Sequence, residues 1–143
     1  MTNDEVVHAY VESYRTDDRA AQGRLRHPDW TVTYPQSDER IRGHANMAAI
    51  MAHYPGGPPE VERARVVGSE DHYVVTPMFT IERVAGSGDL WWGDGVATYP
   101  DGSVWHVVVL LELHDGLIYR ETEYFALPFE APAWRAPWVE RVD

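Results

Sequence analysis

Residues 118–125 read IYRETEYF. β-Branched and aromatic residues dominate this run, as on a strand, and alternate strand side chains point to opposite faces, so Glu121 and Glu123 share one face. Two carboxylates in an apolar cavity could do acid–base chemistry. Burial disfavours the charged form, and a carboxylate neighbour favours holding one proton between the two, which moves a pKa up toward the working range of a general acid or base. On a solvated face the same pair would be inert. Alternation leaves both readings open, because Leu117, Tyr119 and Phe125 share the glutamates' face while Ile118, Tyr124 and Ala126 share the other.

Other chemistry finds less support. His106 lies in SVWHVVVLLEL; if Trp105, Val107, Val109 and Leu111 face inward, parity turns His106 outward to a structural or subunit-interface position. A bulge would reverse this and make it a proton shuttle near neutral pH. The seven histidines form no HxH or HxxxH pair, His44 and His53 are nine apart, and there is no cysteine, so no metal site is expected. Ser13, Ser69 and Ser103 sit in no GxSxG elbow, and GSGDLWWGDG reads as a bulged hairpin rather than a phosphate loop. The aromatics Tyr10, Tyr14, Trp30, Tyr34, Tyr54, Trp92, Trp105 and Phe125, with Met47 and Met51, fall on expected inward faces. They make either a core rich in large residues or a cavity for a cyclic, hydrophobic small molecule.

The elements that must position these groups follow from periodicity. Residues 4–21 have Asn3 or Asp4 as N-cap and Val6, Val7, Tyr10, Val11 and Tyr14 at helical spacing. HPDWTVTYP (27–35) is a turn leading to a strand with Trp30, Val32 and Tyr34 on one face. A second helix follows Gly43, with Met47, Ile50, Met51 and Tyr54 as its stripe, and PGGPP (55–59) stops it. From Val61 the texture is strands, VERARVVG, HYVVTPMFTIERV, DLWWGDGVATY, SVWHVVVLLEL and LIYRETEYFAL, with turns at GSED, AGSGD, PDGS and HDG. The last three strands form an antiparallel meander. Helices followed by strands mark an α+β domain with the helices on one face of a curved sheet.

Bulk properties narrow the partners. The 143 residues fit one domain over 1–143, in which the apolar, Pro- and Trp-rich tail 128–143 packs on its own domain or on a partner subunit. A net charge of −11, with 23 acidic residues against 12 basic ones, repels phosphate backbones and anionic lipid, so nucleic acid and membrane are not expected partners. The start, MTNDEVVHAY, has no basic region followed by an apolar one, and no run is long enough to span a bilayer; a cytoplasmic location is the expectation.

VVHAYV around Tyr10, DWTVTYPQSDERIRG before the second helix, and HDGLIYRETEYFAL at the end of the strands together resemble the nuclear transport factor 2-like superfamily, and within it the SnoaL-like group. That group also holds ketosteroid isomerases, polyketide cyclases, scytalone dehydratases and limonene-epoxide hydrolases. The resemblance runs to about Phe129 and implies a cone-shaped, cystatin-like α+β barrel, often dimeric through its convex sheet. Tyr10 matches the oxyanion-donating tyrosine of ketosteroid isomerases, whereas their general base falls at Tyr34 and their second oxyanion acid near Val109. TEYFA places Glu123 at the water-activating carboxylate of the epoxide hydrolases. Asp94 matches their second carboxylate, Trp92 replaces the arginine that joins the two, and Tyr34 with Gln36 resembles the pair that holds the water.

The resemblance turns Glu123 inward. It implies cofactor-independent hydrolysis or isomerisation/cyclisation of an apolar cyclic substrate, with Glu123 as base, Asp94 as its partner, and Tyr10 and Tyr34 as donors. Tyr14, Trp30, Met47, Met51, Tyr54, Trp92, Trp105, Val107, Val109 and Phe125 would line the site; Gln36, Glu121 and His106 are further candidates. The competing readings are a non-catalytic carrier of a hydrophobic ligand and a dimeric interaction module using its Trp-rich tail.

Overall fold

The computed structural model describes residues 1–54, 60–62, 65–67, 80–98 and 103–142. Helix α1 (Asn3–Arg15) starts one or two residues before the expected caps. Thr2 accepts the Glu5 N–H and Glu5 reaches back to the Thr2 N–H at 2.7 Å, a TxxE capping box that satisfies two otherwise orphaned donors. The single helix expected over 4–21 is broken after Arg15, where Asp17 takes a left-handed φ of 52°. Asp18 then accepts the Ala21 N–H and opens α2 (Arg19–Leu25).

The chain continues through β1 (Arg26–Tyr34), β2 (Glu39–Arg42), α3 (Gly43–Ala52), β3 (Glu60–Glu62), β4 (Arg65–Val67), β5 (Thr80–Ser87), β6 (Leu90–Thr98), β7 (Val104–His114) and β8 (Leu117–Ala126). This is the α+β architecture read from the sequence: a curved, unclosed sheet with N-terminal helices. Strand order is β2-β1-β8-β7-β6-β4-β3, with β5 also on β6. β5 to β8 pair antiparallel, and the β7–β8 turn is Asp115-Gly116 with φ of 51° and 72°, the two positive values that a two-residue hairpin needs. β1 lies parallel to β8, and the short β2, absent from the sequence reading, pairs with β1. The expected PGGPP stop, the GSED and PDGS turns and the strand segment 72–79 lie outside the described residues.

Two irregularities aim the inner face. In β8, Glu112 pairs with Arg120 but Leu113 pairs with Ile118, so Tyr119 is an extra, bulged residue. Ile118 is thereby buried on the same side as Glu121, Glu123 and Phe125, which simple alternation would not allow. In β1 the register with β8 shifts between Arg26 and Thr31, and both Arg26 and Trp30 end up buried. Beyond the shift, Val32 sits beside Glu121, and Trp30, Val32 and Tyr34 all enter the core with Val107, Val109 and Leu111 of β7.

The tail does not cover its own domain. It forms a short 3-10 helix, Ala133–Trp138, and Phe129, Trp134 and Trp138 are 85%, 73% and 79% exposed. No helix among the described residues is long and apolar enough to cross a membrane.

Candidate active site

Glu121 and Glu123 both point inward, each 1% exposed. Around Glu121 the fold assembles donors from two elements. From α1, the Tyr10 hydroxyl donates to Oε1 in a short bond and the Tyr14 hydroxyl, one turn on, lies 3.4 Å from Oε2. From β1, the Trp30 indole N–H donates to Oε1 at 2.6 Å, and the Arg26 guanidinium stands 3.9 Å away. Arg26 is itself buried: its Nε donates to the Tyr10 hydroxyl at 2.7 Å, Nη2 to the Tyr14 hydroxyl at 3.3 Å, and Nη1 contacts Nδ1 of His44 at 2.9 Å. Its plane also lies over the Trp30 ring, 3.8 Å from the centroid. Burial opposes its charge, but Tyr10, Tyr14 and Glu121 outweigh that, and the guanidinium stays protonated.

Glu123 is supplied differently. Its carboxyl shares the inner face of β8 with that of Glu121, and its Oε2 is buried with no partner. Burial first, and the charge of Glu121 second, push its pKa well above the usual carboxylate range. The buried Tyr34 hydroxyl likewise has no partner, and burial followed by the charge on Glu123 holds that phenol protonated. Tyr34 packs against Phe125, and Gln36, just beyond β1, accepts the Phe125 N–H at 2.5 Å, which fixes the end of β8 beside Tyr34. The interior thus holds a carboxyl with a raised pKa and an unpartnered oxygen, a phenolic hydroxyl, and aromatic neighbours.

A profile of the SnoaL-like domain matches residues 7–121. The chain belongs to the SnoaL-like family. Solved structures carry the same fold. A nuclear transport factor 2-like protein of unknown function from Burkholderia xenovorans LB400 is 30% identical over 99% of this chain and 95% of its own, with a TM-score of 0.74. A candidate ketosteroid isomerase from Kribbella flavida DSM 17836 is 24% identical, covers 99% and 90%, and also scores 0.74. An LEH-like epoxide hydrolase from M. tuberculosis is 18% identical over 85% and 80%, with a TM-score of 0.53. No curated protein matches the chain.

Several expected residues of this SnoaL-like chain come together. Glu123, Tyr34, Tyr10, Tyr14, Trp30, Met47, Met51, Tyr54, Val107, Val109 and Phe125 are all buried, and Trp105 packs partly against them. Tyr10 is present, but its hydroxyl is committed to Glu121, so its position makes it a support for that carboxylate rather than a free oxyanion donor. His106 faces outward, as parity indicated.

Asp94 and Trp92 do not join the site. On β6 the inward positions belong to Trp91, Gly93, Gly95 and Ala97; Trp92 is 40% exposed, and Asp94 pairs with Arg83 at 2.9 Å on the other face, which lowers its pKa. The inward position 93 is a glycine because Ile81 leaves no room there, 2.8 Å from where a Cβ would stand. The partner carboxylate is therefore Glu121, and the cation beside the pair is Arg26, which the sequence reading missed. Arg26 shares even-numbered parity with Trp30, Val32 and Tyr34, the one signal that could have placed it.

Away from the site, His27, His114 and Asp115 gather at the β7–β8 turn with potential ligand atoms within 4.8 Å of one another. Nδ1 of His27 accepts the Asp29 N–H, so the neutral ring carries its proton on Nε2 and offers no lone pair to a metal in that orientation.

Proposed function

We propose that this SnoaL-like chain is an enzyme of cofactor-independent acid–base chemistry, a hydrolase or an isomerase/cyclase, acting on an apolar cyclic small molecule. Glu123 is the group that takes and returns the proton, through its free Oε2. Tyr34 donates to oxygen charge developing on the substrate or to a water. Glu121, held by Tyr10, Tyr14, Trp30 and Arg26, adds to burial in raising the pKa of Glu123. One observation carries this reading: among the described residues, Glu123 Oε2 and Tyr34 OH are the buried side-chain polar atoms with no protein partner. Such atoms are expected where a ligand completes the bonding. The isomerase and epoxide hydrolase among its structural relatives support the same class of chemistry.

The test joins a 13C carboxyl titration of Glu123 to turnover assays with cyclic epoxides and cyclic enones, on wild type and Glu123→Gln. A raised pKa, turnover, and its loss in the variant support the enzyme. A Glu123 that titrates at its unperturbed value, about 4.5, leaves a non-catalytic hydrophobic-ligand carrier as the better account.

We further propose a homodimer through the outer sheet face, where Trp92, Val104, Val108, Leu110 and Tyr124 stand exposed together on β6, β7 and β8. The exposed Trp134 and Trp138 favour a second role for the tail, as a contact with another protein surface.

A further inference from the structure

Among the described residues, His44 is an exposed side chain that reaches the buried guanidinium of Arg26. It lies in the first turn of α3, and its ring rests against the bare backbone of α2 at Gly23, 3.3 Å from where a Cβ would stand. A Cβ at position 23 would ask that ring to give by a few tenths of an ångström. The approach aims Nδ1 at Nη1 of Arg26, 2.9 Å away. A guanidinium has only donors, so Nδ1 must offer a lone pair, and the ring must be neutral with its proton on Nε2.

We propose that His44 is the positioning residue for Arg26, an acceptor that holds the guanidinium against Tyr10, Tyr14 and Trp30 and releases it when the ring protonates. The inference rests on the proposed role of the Glu121–Glu123 pair, because it concerns the cation that stabilises that pair.

The groups facing His44 all push one way. Arg26 on β1 is the charge that bears on it, α2 meets the ring at Gly23, and the first turn of its own helix has no acidic residue to offset the positive end of the helix dipole. Burial, and then the Arg26 charge, lower its pKa below the usual histidine value. The contact is therefore intact at neutral pH. It opens on acidification, when a protonated Nδ1 and a guanidinium N–H confront each other with no acceptor between them.

Arginine-selective 15N NMR on the full chain tests this, with His44→Gln, which keeps an acceptor but cannot titrate, and His44→Phe, which keeps a ring but accepts nothing. Wild type should show the Nδ1-unprotonated tautomer at neutral pH and a step in the Arg26 Nε–H resonance that coincides with the His44 titration. His44→Gln should lose the step and keep slow exchange of that proton; His44→Phe should lose the slow exchange at every pH. An Nδ1–H tautomer, a step that persists in His44→Gln, or an Arg26 signal unmoved in His44→Phe overturns the proposal. If His44→Phe does not fold, the tautomer and the His44→Gln comparison still decide it. The Glu123 carboxyl signal, read in the same samples, separates the two ideas. An ordinary Glu123 titration removes the acid–base reading, whereas a raised one with Arg26 indifferent to His44 removes only this inference.

Discussion

Glu121 and Glu123 are two apart on one strand, on the same inner face and equally buried, but Glu121 is ringed by donors while Glu123 keeps one oxygen without a partner. That asymmetry divides their roles. A carboxyl surrounded by phenol, indole and guanidinium donors is held in place; the carboxyl beside it, its pKa raised, has an oxygen to spend.

Glu123→Gln follows first. The folded pKa of Glu123 is raised, so its protonated form is favoured by folding: the stability it contributes is fully present below the unfolded pKa, about 4.5, and is lost as pH rises through the folded value. The amide has no proton to lose. Thermal melts should show the variant more stable than wild type at alkaline pH and the two converging near pH 4, while turnover falls by about 10²- to 10⁴-fold. Identical pH profiles for both proteins would contradict the assignment.

Tyr10→Phe and Tyr34→Phe should part company. Tyr10 donates to Glu121, and losing a bond to a charged group costs about 1.5–3 kcal/mol; the Tyr34 hydroxyl has no protein partner, so its removal should be neutral or stabilising. Denaturant unfolding measures this. Turnover should fall in Tyr34→Phe despite its undiminished stability.

Arg26→Met leaves the Glu121 charge buried without its cation. Breaking a buried pair from one side costs about 3–5 kcal/mol, and urea midpoints should show a loss of that order. The Glu123 pKa should rise further, because Arg26 is what restrains it.

Asp94→Asn tests the face of β6. Its partner Arg83 is largely exposed, so the change in stability should stay within about 1 kcal/mol and turnover should not change. A large loss of turnover would return Asp94 to the site.

Val108→Arg addresses the outer face. If Trp92, Val104, Val108, Leu110 and Tyr124 form a subunit contact, sedimentation should show wild type as a dimer and the variant as a monomer. A wild-type monomer removes the interface.

Linear pattern was enough for much of this molecule. Helical spacing put Tyr10 and Tyr14 on one inner face, period two put Trp30, Val32 and Tyr34 on another, and Asp-Gly after His114 marked a hairpin, because each signal is local and a side chain's direction follows from its own backbone. The kinship with SnoaL-like proteins was also legible in those stretches. The faces of β6 and β8 were not. Trp91 and Trp92 are equally apolar neighbours, and only the pairing of β6 with β7, Trp91 beside buried Leu111 and Trp92 beside exposed Leu110, decides which one is inside. A single bulged residue, Tyr119, carries Ile118 to the glutamates' side, and pairing across strands alone reveals it. Most of all, the cation of the site comes from Arg26, 95 positions before Glu121. The two meet because β1 runs parallel to β8, a long-range pairing that no local periodicity encodes.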